Sequence, residues 1–503
     1  MFLVWDMASP LLGSNMETVH LQHINAVHCK IVADPSTLME LADHFTFFAE
    51  NYRFSPKYKA RVWDGKIRLV NRLTALVYAG LARHIKKFCD ERGYAFSYDP
   101  QLQYDNVSVN EILEFIKTLD IPERFTPRDY QIKSVVKCLR SKRRTLLSPT
   151  SSGKSLMIYI IMRWYQQFGH KGLVIVPTIG LVRQMENDFR EYGYKGTIHV
   201  STDKLNKSND IPEDMVITTW QSMDNGKTKM PKQWYQQFGV VVGDEAHTCK
   251  AATLTKILSN LDNCEFRFGT TGTLDDTPLN RVTIEGLFGP QYQVVTTKDL
   301  MESGHVSNLR IKCIVLKYPE QVCKDLRGKT YQEEIDYIIT NEERTKFIKN
   351  LALSLKGNKL VFFRVISHGQ AISDSIRDAG ISNVFYIDGS VSGQDREAIR
   401  VAVEDEENAI IVASLGTTST GVSINKLHHM IAASPSKSKI KVLQSIGRML
   451  RKHQTKQEAI LYDIVDDFSY KSATNFTFKH FIDRTKIYEK ENFDYKIYTV
   501  GLK

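Results

Sequence analysis

A short loop of small residues between an apolar stretch and an apolar helix has the pattern of a phosphate site. It reads Ser148-Pro-Thr-Ser-Ser-Gly-Lys-Ser155. Strand, loop and helix in this order form a P-loop, whose backbone N–H groups attract phosphate oxygens at the helix N-terminus. We predict that four loop residues cradle the phosphates of ATP: Thr150, Ser151, Ser152 and Gly153. Lys154 should meet the β- and γ-phosphates, and Ser155 should bind Mg²⁺. Ser148 replaces the first glycine of the pattern.

Two adjacent carboxylates follow a second apolar stretch further along the chain. The run Val240-Val-Val-Gly leads directly into Asp244-Glu-Ala-His247. In phosphoryl transfer, one acid can hold Mg²⁺ while another orients or deprotonates the attacking water. We predict Asp244 as the Mg²⁺ ligand and Glu245 as the catalytic base. The alternative is an Asp-Glu pair on a surface loop, which the upstream P-loop disfavours.

Two more groups could complete a nucleotide site. Phe125, Arg128 and Gln131 precede the P-loop strand, and the Gln131 amide could bond both donor and acceptor edges of adenine. Arg448 and Arg451 lie three residues apart in a predicted helix, so they share one face and could stabilise charge on a γ-phosphate. The alternatives are ordinary helix-start residues for the first group and a solvated basic face for the second.

Two sheets are needed to position these residues. From residue 143 onward, β-rich runs alternate with helical stretches, in two series of five. The first series is 144–147, 172–176, 215–219, 240–243 and 266–270, and the second is 359–363, 384–387, 409–413, 430–433 and 459–463. Such alternation predicts parallel sheets covered by helices. We therefore predict an α/β protein with two tandem lobes that join near 296–308.

The sequence pattern of the N-terminal part predicts a small α+β domain. Its expected elements are a strand near 20–32, helices over 35–50 and 80–92, the second ending at Gly93, and a hairpin at Asp64-Gly65. The predicted domains are 1–115, a first lobe at 116–300 that carries the P-loop, and a second lobe at 301–503 that carries the arginines. Residues 1–15 could be an extension, because patterned sequence begins only after Met16.

Composition restricts the class of protein. The 503 residues are 42% hydrophobic and 25% charged, which suits several globular cores. Lysine and arginine exceed acidic residues by 67 to 57, and the net charge of +10 favours a polyanionic partner. The seven cysteines contain no C-x-x-C pair and are predicted to be reduced thiols. No export signal and no apolar run of ~18 residues is present, so we predict neither secretion nor membrane insertion.

One stretch of the N-terminal part combines positive charge with aromatic rings. Residues 52–68 hold six basic residues and four aromatics against one acid. The predicted nucleic-acid contacts in this stretch are Arg53, Lys57, Lys59, Arg61, Trp63, Lys66 and Arg68. Basic groups neutralise phosphates and exposed rings can stack on bases, so we expect salt-sensitive binding. The alternative is a solvated strand whose aromatics lie in the core.

Taken together, eight ordered segments resemble the motifs of superfamily 2 helicases. They are 148–155, 176–178, 218–221, 244–247, 271–273, 359–364, 419–421 and 444–451. The resemblance implies RecA-like lobes and use of ATP and Mg²⁺. It also implies that His247, Thr271 and Thr273 couple hydrolysis to lobe movement and that Gly421 and Gln444 lie near the nucleotide. By the same resemblance, four residues would contact the nucleic-acid backbone: Thr178, Trp220, Gln221 and Arg364.

Further stretches resemble the recombination helicases of T-even-type bacteriophages. They include Trp63-Asp-Gly-Lys-Ile-Arg-Leu, Gly328-Lys-Thr-Tyr-Gln-Glu-Glu and Ser438-Lys-Ile-Lys-Val-Leu-Gln-Ser-Ile-Gly-Arg. This resemblance implies a monomer in the cytoplasm of an infected bacterium. It would act on forks, four-way junctions and R-loops, with single-strand-binding and recombination proteins as partners and the N-terminal domain on duplex DNA. The motor motifs leave an RNA helicase open, and a catalytically silent scaffold is the other alternative.

Overall fold

The fold is seen in a computed structural model. It describes residues 17–103, 107–200, 211–224, 229–247, 252–272, 277–420, 424–435, 446–447, 449–451, 453, 456 and 458–502. Three units follow one another along the chain: a small mixed α/β domain and two lobes that each contain a seven-stranded sheet. The predicted fold class, two RecA-like parallel-sheet lobes behind a small N-terminal α+β domain, is confirmed.

The N-terminal domain is built on a four-stranded sheet in the order β5-β2-β1-β6 and a separate β3-β4 pair. Its strands are β1 Thr18–His23, β2 His28–Val32, β3 Thr46–Phe48, β4 Lys66–Arg68, β5 Leu76–Tyr78 and β6 Ala95–Tyr98. Its helices are α1 Pro35–His44, α2 Pro56–Lys59 and α3 Ala82–Arg92. Gly93 ends α3 with a φ of 72°, as predicted for a left-handed C-cap.

Three local predictions for this domain were wrong. The single strand near 20–32 is a hairpin of β1 and β2, and the helix predicted over 35–50 ends at His44 because β3 follows. Asp64-Gly65 does not join two strands of a hairpin. The residues before it form the helical turn 52–54 and α2, and β4 pairs back onto β3. A local turn signal could not reveal this more distant pairing.

The first lobe has a parallel sheet in the order β13-β7-β12-β11-β8-β10-β9. Its strands are β7 Arg143–Leu147, β8 Lys171–Val176, β9 Ile198–Val200, β10 Met215–Thr219, β11 Phe238–Asp244, β12 Phe266–Thr271 and β13 Gln291–Gln293. Its helices are α4 Val109–Thr118, α5 Asp129–Leu139, α6 Lys154–Gln166, α7 Ile179–Glu191, α8 Trp220–Met223, α9 Lys232–Tyr235, α10 Ala252–Ser259 and α11 Pro278–Phe288. Separate apolar cores cover the two faces of the sheet. Ile112 and Ile116 of α4 pack in one of them, although Ile112 precedes the predicted boundary between residues 115 and 116.

The second lobe has a parallel sheet in the order β16-β17-β15-β18-β19-β14-β20. Its strands are β14 Asn308–Lys317, β15 Lys359–Phe363, β16 Val384–Ile387, β17 Ile410–Ser414, β18 His429–Ala432, β19 Glu458–Asp467 and β20 Tyr495–Gly501. Its helices are α12 Thr297–Glu302, α13 Glu320–Asp325, α14 Tyr331–Thr340, α15 Glu342–Ser354, α16 Ile366–Arg377, α17 Gly393–Asp405, α18 Leu415–Thr420 and a C-terminal helix, Phe476–Lys490. All ten predicted strands are present, and β9, β13, β14 and β20 are additional.

The N-terminal domain docks on α11 of the first lobe. Val282 of that helix belongs to the apolar core of the N-terminal domain. His84 of α3 hydrogen-bonds Glu285, and the Glu50 carboxylate accepts a hydrogen bond of 3.1 Å from the Thr277 hydroxyl. A shared core together with polar contacts fixes the orientation of the domain on the lobe.

The described residues include six of the seven cysteines, and all six are free and buried, in keeping with reduced thiols. Within the same part of the chain, no helix is long and apolar enough to cross a membrane. The histidines and cysteine between 20 and 29 lie in and around the β1-β2 hairpin. Among described residues, no group of three or more His, Cys, Asp or Glu side chains could hold a metal ion by itself.

Candidate nucleotide and nucleic-acid sites

The P-loop lies between β7 and α6, as predicted, and its own serines hold its shape. Ser148 and Ser152 are buried, with their hydroxyl oxygens 2.5 Å apart. The Ser148 amide donates to the Thr271 carbonyl at 2.8 Å, which ties the loop to the end of β12. Gly153 has a φ of 78° at the N-terminus of α6, where a side chain would be strained and would also overlap Gln131. Ser148 therefore takes part in the hydrogen bonds that hold the loop in shape.

The residues predicted to read adenine brace this loop. The buried amide of Gln131 donates from Nε2 to the Ser152 carbonyl at 2.9 Å, and its Oε1 accepts from the Arg128 backbone N–H at 2.8 Å. Arg128 also donates to the Tyr130 hydroxyl at 2.8 Å. Phe125 packs edge-on against Tyr192 with ring centroids 5.0 Å apart. Both ends of the Gln131 amide are thus hydrogen-bonded to the protein backbone. Its contact with adenine stays a prediction.

Lys154 and the two carboxylates form one compact charged cluster. Lys154 Nζ lies 2.8 Å from Glu245 Oε1 and 3.9 Å from Asp244 Oδ1. Burial raises the pKa of Asp244, which Lys154 opposes, while Thr270 donates a hydrogen bond to Asp244 at 2.6 Å. Burial also opposes ionisation of Glu245, but Lys154 and His247 hold the pKa of its carboxyl below its usual value. Glu245 is therefore an ionised base with a cation beside it.

A chain of contacts leads from Glu245 to β12. Glu245 Oε2 is buried and, within the described part of the chain, accepts no hydrogen bond, although His247 Nδ1 lies 3.3 Å away. The same His247 nitrogen hydrogen-bonds Thr271 Oγ1 at 2.9 Å. Two of the predicted coupling residues are thereby connected to the carboxylate, whereas Thr273 lies outside the described residues. A buried carboxylate oxygen without a donor suits a base that must orient water.

The predicted Mg²⁺ ligands supply oxygen atoms, which this ion prefers. Ser155 is at the start of α6, and Asp244 is at the end of β11. The Ser155 hydroxyl is hydrogen-bonded to the Tyr192 hydroxyl at 2.8 Å. A hydroxyl and a carboxylate at a phosphate-binding loop fit Mg²⁺ bound jointly by protein, water and nucleotide.

Two residues near Ser155 were not found from the sequence. Asp188 lies near the end of α7 and Tyr192 follows one turn later. The Tyr192 hydroxyl is hydrogen-bonded to the Ser155 hydroxyl, and Ser155 also acts on the pKa of Asp188. Burial raises the pKa of Asp188 to about 6, and the positive charge of Arg451 opposes this shift. The i, i+4 spacing of an acid and a tyrosine was a visible signal. However, nothing in the local sequence connected it with the P-loop.

The second lobe meets the P-loop at Gly447. Its carbonyl accepts a 3.2 Å hydrogen bond from the Ser151 hydroxyl, and a Cβ added at Gly447 would lie 2.5 Å from Thr150 Cβ. Arg451 is half-buried, and burial lowers the pKa of its guanidinium while Asp188 of the first lobe raises it. The structure thus brings Arg451 to the nucleotide side of the first lobe. Three other predicted residues, Arg448, Gln444 and Gly421, lie outside the described residues.

Residues assigned to nucleic acid by motif resemblance lie at strand ends. Thr178 caps α7 by accepting from the Leu181 amide at 3.4 Å. Trp220 is half-buried against a core of the first lobe, and Gln221 donates to the Pro177 carbonyl at 3.4 Å. Arg364 is exposed after β15 and donates to Tyr331 at 3.2 Å. Thr178 and Gln221 thus have structural partners, and Arg364 alone among these four presents an exposed charge.

Residues 52–68 form a surface on the N-terminal domain, here termed the basic surface. Five of its basic residues are exposed: Arg53, Lys57, Lys59, Arg61 and Arg68. Lys66 is half-buried over the Phe48 ring, and half-buried Trp63 donates to the Lys66 carbonyl at 3.0 Å. Phe54 is 75% exposed. The ring of Phe54 is therefore accessible beside the cations, which differs from the alternative that places every aromatic in the core.

A P-loop and an Asp-Glu pair at the strand ends of one RecA-like lobe, with an arginine supplied by the next lobe, define a superfamily 2 helicase. Three family models match successive parts of the chain. "DNA helicase UvsW, N-terminal" matches residues 18–99, "Type III restriction enzyme, res subunit" 124–276 and "Helicase conserved C-terminal domain" 342–453.

The chain is 39% identical to "ATP-dependent DNA helicase uvsW" of Enterobacteria phage T4, over 94% of this chain and 98% of that protein. It therefore belongs to the UvsW family of ATP-dependent DNA helicases. The crystal structure of T4 UvsW matches at 36% identity and a TM-score of 0.50, covering 97% of this chain and all of that one. The restriction-modification enzyme LlaBIII bound to DNA shares the fold at 14% identity and a TM-score of 0.57, over 83% of this chain and 36% of that one.

Proposed function

We propose that this helicase remodels branched DNA: it regresses forks, migrates four-way junctions, unwinds R-loops and anneals the released strands. The observation that carries the proposal is that the N-terminal domain, which bears the basic surface, docks on the lobe that holds the P-loop. Glu50, just before the basic surface, accepts from Thr277 and from Asn280 of α11, the latter at 3.2 Å. A duplex held there keeps one position relative to the first lobe while the second lobe moves along a strand.

The nucleotide site has the following proposed roles. Lys154 binds the β- and γ-phosphates and leaves Glu245 when they arrive. Glu245 accepts a proton from the attacking water, and Arg451 with Arg448 stabilises charge that develops on the γ-phosphate. Mg²⁺, held by Ser155 and Asp244, would supply neutralising charge to the phosphates. Since Gly447 must approach Thr150 for Arg451 to reach the site, hydrolysis is tied to closure of the lobes.

The remaining assignments rest on the family resemblance. His247, Thr271 and Thr273 transmit the state of the nucleotide to the lobes, and Gly421 and Gln444 lie near it. Thr178, Trp220, Gln221 and Arg364 contact the tracked strand. The proposed domains are 1–115, 116–300 and 301–503. We propose a monomer that works in the cytoplasm of an infected bacterium beside single-strand-binding and recombination proteins.

Nucleotide hydrolysis on a panel of nucleic acids tests this function. Steady-state rates would be measured without nucleic acid and with single strand, linear duplex, RNA and a forked junction. The variants are Lys154→Ala and, as a matched control, Lys133→Ala at an exposed position of α5. We expect the fork to stimulate most, Lys154→Ala to abolish hydrolysis and the control to behave as wild type. Strongest stimulation by RNA would instead indicate an RNA helicase, and no hydrolysis with any substrate would indicate a scaffold.

A further inference from the structure

We propose that Lys456 and Ser307 are positioning residues for hydrolysis: they cap the C-terminal carbonyls of the turn that carries Arg451 and thereby aim its guanidinium. The inference rests on the proposed role of Arg451. Neither residue belongs to a helicase motif, and both lie outside the family model matched at 342–453.

The turn that carries Arg451 is here termed the arginine turn. Its last three carbonyls, those of Met449, Leu450 and Arg451, each receive a hydrogen bond. Lys456 Nζ donates to the Met449 carbonyl at 2.6 Å. The Ser307 backbone N–H donates to the Leu450 carbonyl at 2.9 Å, and its hydroxyl donates to the Arg451 carbonyl at 3.4 Å. The last carbonyls of a helical turn have no partner within the turn, so these donors complete it. A cation at this end also suits the helix dipole.

Lys456 connects the arginine turn to a second segment of the lobe. Its Nζ also donates to the Asn425 carbonyl at 3.0 Å, and the residue is only 4% exposed. Glu404 of α17 holds the same segment, since it accepts from the Asn425 amide at 2.7 Å and from the Lys426 amide at 3.2 Å. This segment follows Gly421. One buried ammonium thus joins the arginine turn to the loop after α18.

Burying an ammonium is unfavourable unless its hydrogen bonds are made. The pKa of Lys456 is lowered to about 8: burial lowers it most, the negative charge of Glu404 opposes this, and the positive charge of Arg451 contributes to the lowering. Loss of the proton would weaken the two bonds, because charge-assisted hydrogen bonds are roughly twice as strong as neutral ones. The arginine turn would then be held less firmly as the pH rises through 8.

The position of Arg451 matters mainly in the transition state, when charge develops on the transferred phosphoryl group. Misplacement of a positioned group by an ångström can reduce the rate about 100-fold. Loosening of the turn should therefore lower kcat and leave the KM for ATP nearly unchanged. A merely structural role of Lys456 would change the melting temperature and would not separate kcat from KM.

The test uses the full chain with forked DNA and four variants: Lys456→Met, Lys456→Arg, Ser307→Ala and Arg451→Ala. Lys486→Met, on the C-terminal helix with a 69% exposed side chain, is the matched control. Values of kcat and KM for ATP are measured from pH 6.5 to 9.5, together with thermal melting. We expect Lys456→Met to lower kcat about 10- to 100-fold at pH 7 with KM within about twofold, and Ser307→Ala to have a smaller effect in the same direction.

The pH profile gives a second readout that does not depend on Lys456→Met folding. Wild-type kcat should decline as the pH rises through about 8, whereas Lys456→Arg should keep its kcat to higher pH because arginine stays charged. Equal kcat values for Lys456→Met and wild type, or identical pH profiles for Lys456→Arg and wild type, would overturn the inference. If Arg451→Ala hydrolyses ATP normally, the proposed role of Arg451 fails as well. If Arg451→Ala is inactive and Lys456→Met is normal, only the positioning role fails.

Discussion

Glu245 Oε1 lies 2.8 Å from Lys154 Nζ, so the carboxylate after β11 and the lysine of the P-loop neutralise each other across the nucleotide site. The pair joins residues separated by 91 positions. Phosphate must compete with Glu245 for Lys154. Once phosphate has bound Lys154, Glu245 is left ionised and available to a water molecule. Binding and activation of the base are therefore connected through a single ion pair.

Glu245→Gln should separate ATP binding from hydrolysis. The amide keeps the shape of the side chain but cannot accept a proton, so we expect kcat to fall by about 100-fold or more. ATP binding, followed by a fluorescent analogue, should be retained. Glu265→Gln, whose side chain is 60% exposed, is the control and should be unchanged. Hydrolysis near the wild-type rate in Glu245→Gln would remove Glu245 from the role of base.

Gly447→Ala should hinder closure of the lobes. The added methyl group would lie 2.5 Å from Thr150 Cβ, closer than atoms tolerate, so the turn would have to move away from the P-loop. We expect kcat to fall about tenfold or more with little change in melting temperature, since the clash is between lobes and not within a core. Gly393→Ala, which meets nothing within 4 Å, is the matched control. A variant with wild-type kcat would show that hydrolysis does not need this approach.

The double variant Lys57→Gln, Lys59→Gln should reduce the salt dependence of DNA binding. Each phosphate contact contributes about 0.9 to the slope of log K against log salt, so the slope should fall by about 1.8 if both lysines meet phosphates. Binding to a labelled fork is measured at several salt concentrations. The control is Lys86→Gln, Lys87→Gln on α3, where the lysines pair with acids one turn away. Equal slopes for the two double variants would exclude the basic surface as the duplex contact.

His368 should make the second lobe less stable in acid. Its pKa is lowered to about 3, mainly by burial and also by the positive charge of Arg344, whose guanidinium nitrogen lies 3.3 Å from the ring nitrogen. The unfolded chain takes up the proton near pH 6.5 and the folded lobe does not, so stability falls as the pH drops between these values. The expected loss is about 2 kcal/mol at pH 5.

Urea unfolding at pH 7 and pH 5 measures this loss. His368→Gln cannot be protonated and should lose less stability than wild type over the same interval. His23→Gln, in the N-terminal domain, serves as the control and should follow wild type. An unchanged pH dependence in His368→Gln would mean that His368 does not contribute to the acid sensitivity.

The order of β-rich and helical stretches was enough to predict ten strands of the two lobes and the parallel sheets they form. It was not enough for β14 and β20, which lie next to each other at one side of the second sheet. Residues 309–317 fell in the predicted second lobe, after the join near 296–308, but no strand was predicted there. They pair with β19, about 150 positions later, and a local pattern carries no information about a partner at that distance.

The sequence by itself also determined the chemistry of the nucleotide site, because a P-loop and an Asp-Glu pair are defined by neighbours along the chain. The tertiary structure decided how these residues meet. In the folded chain, Gln131 donates a hydrogen bond to the P-loop backbone, and Gly447 accepts one from Ser151, which is 296 positions away in the sequence. Ser307 and Lys456 donate hydrogen bonds to the carbonyls at the end of the arginine turn. Motifs record which groups are needed. Hydrogen bonds between distant segments depend on how the lobes pack, and packing is a property of the whole chain.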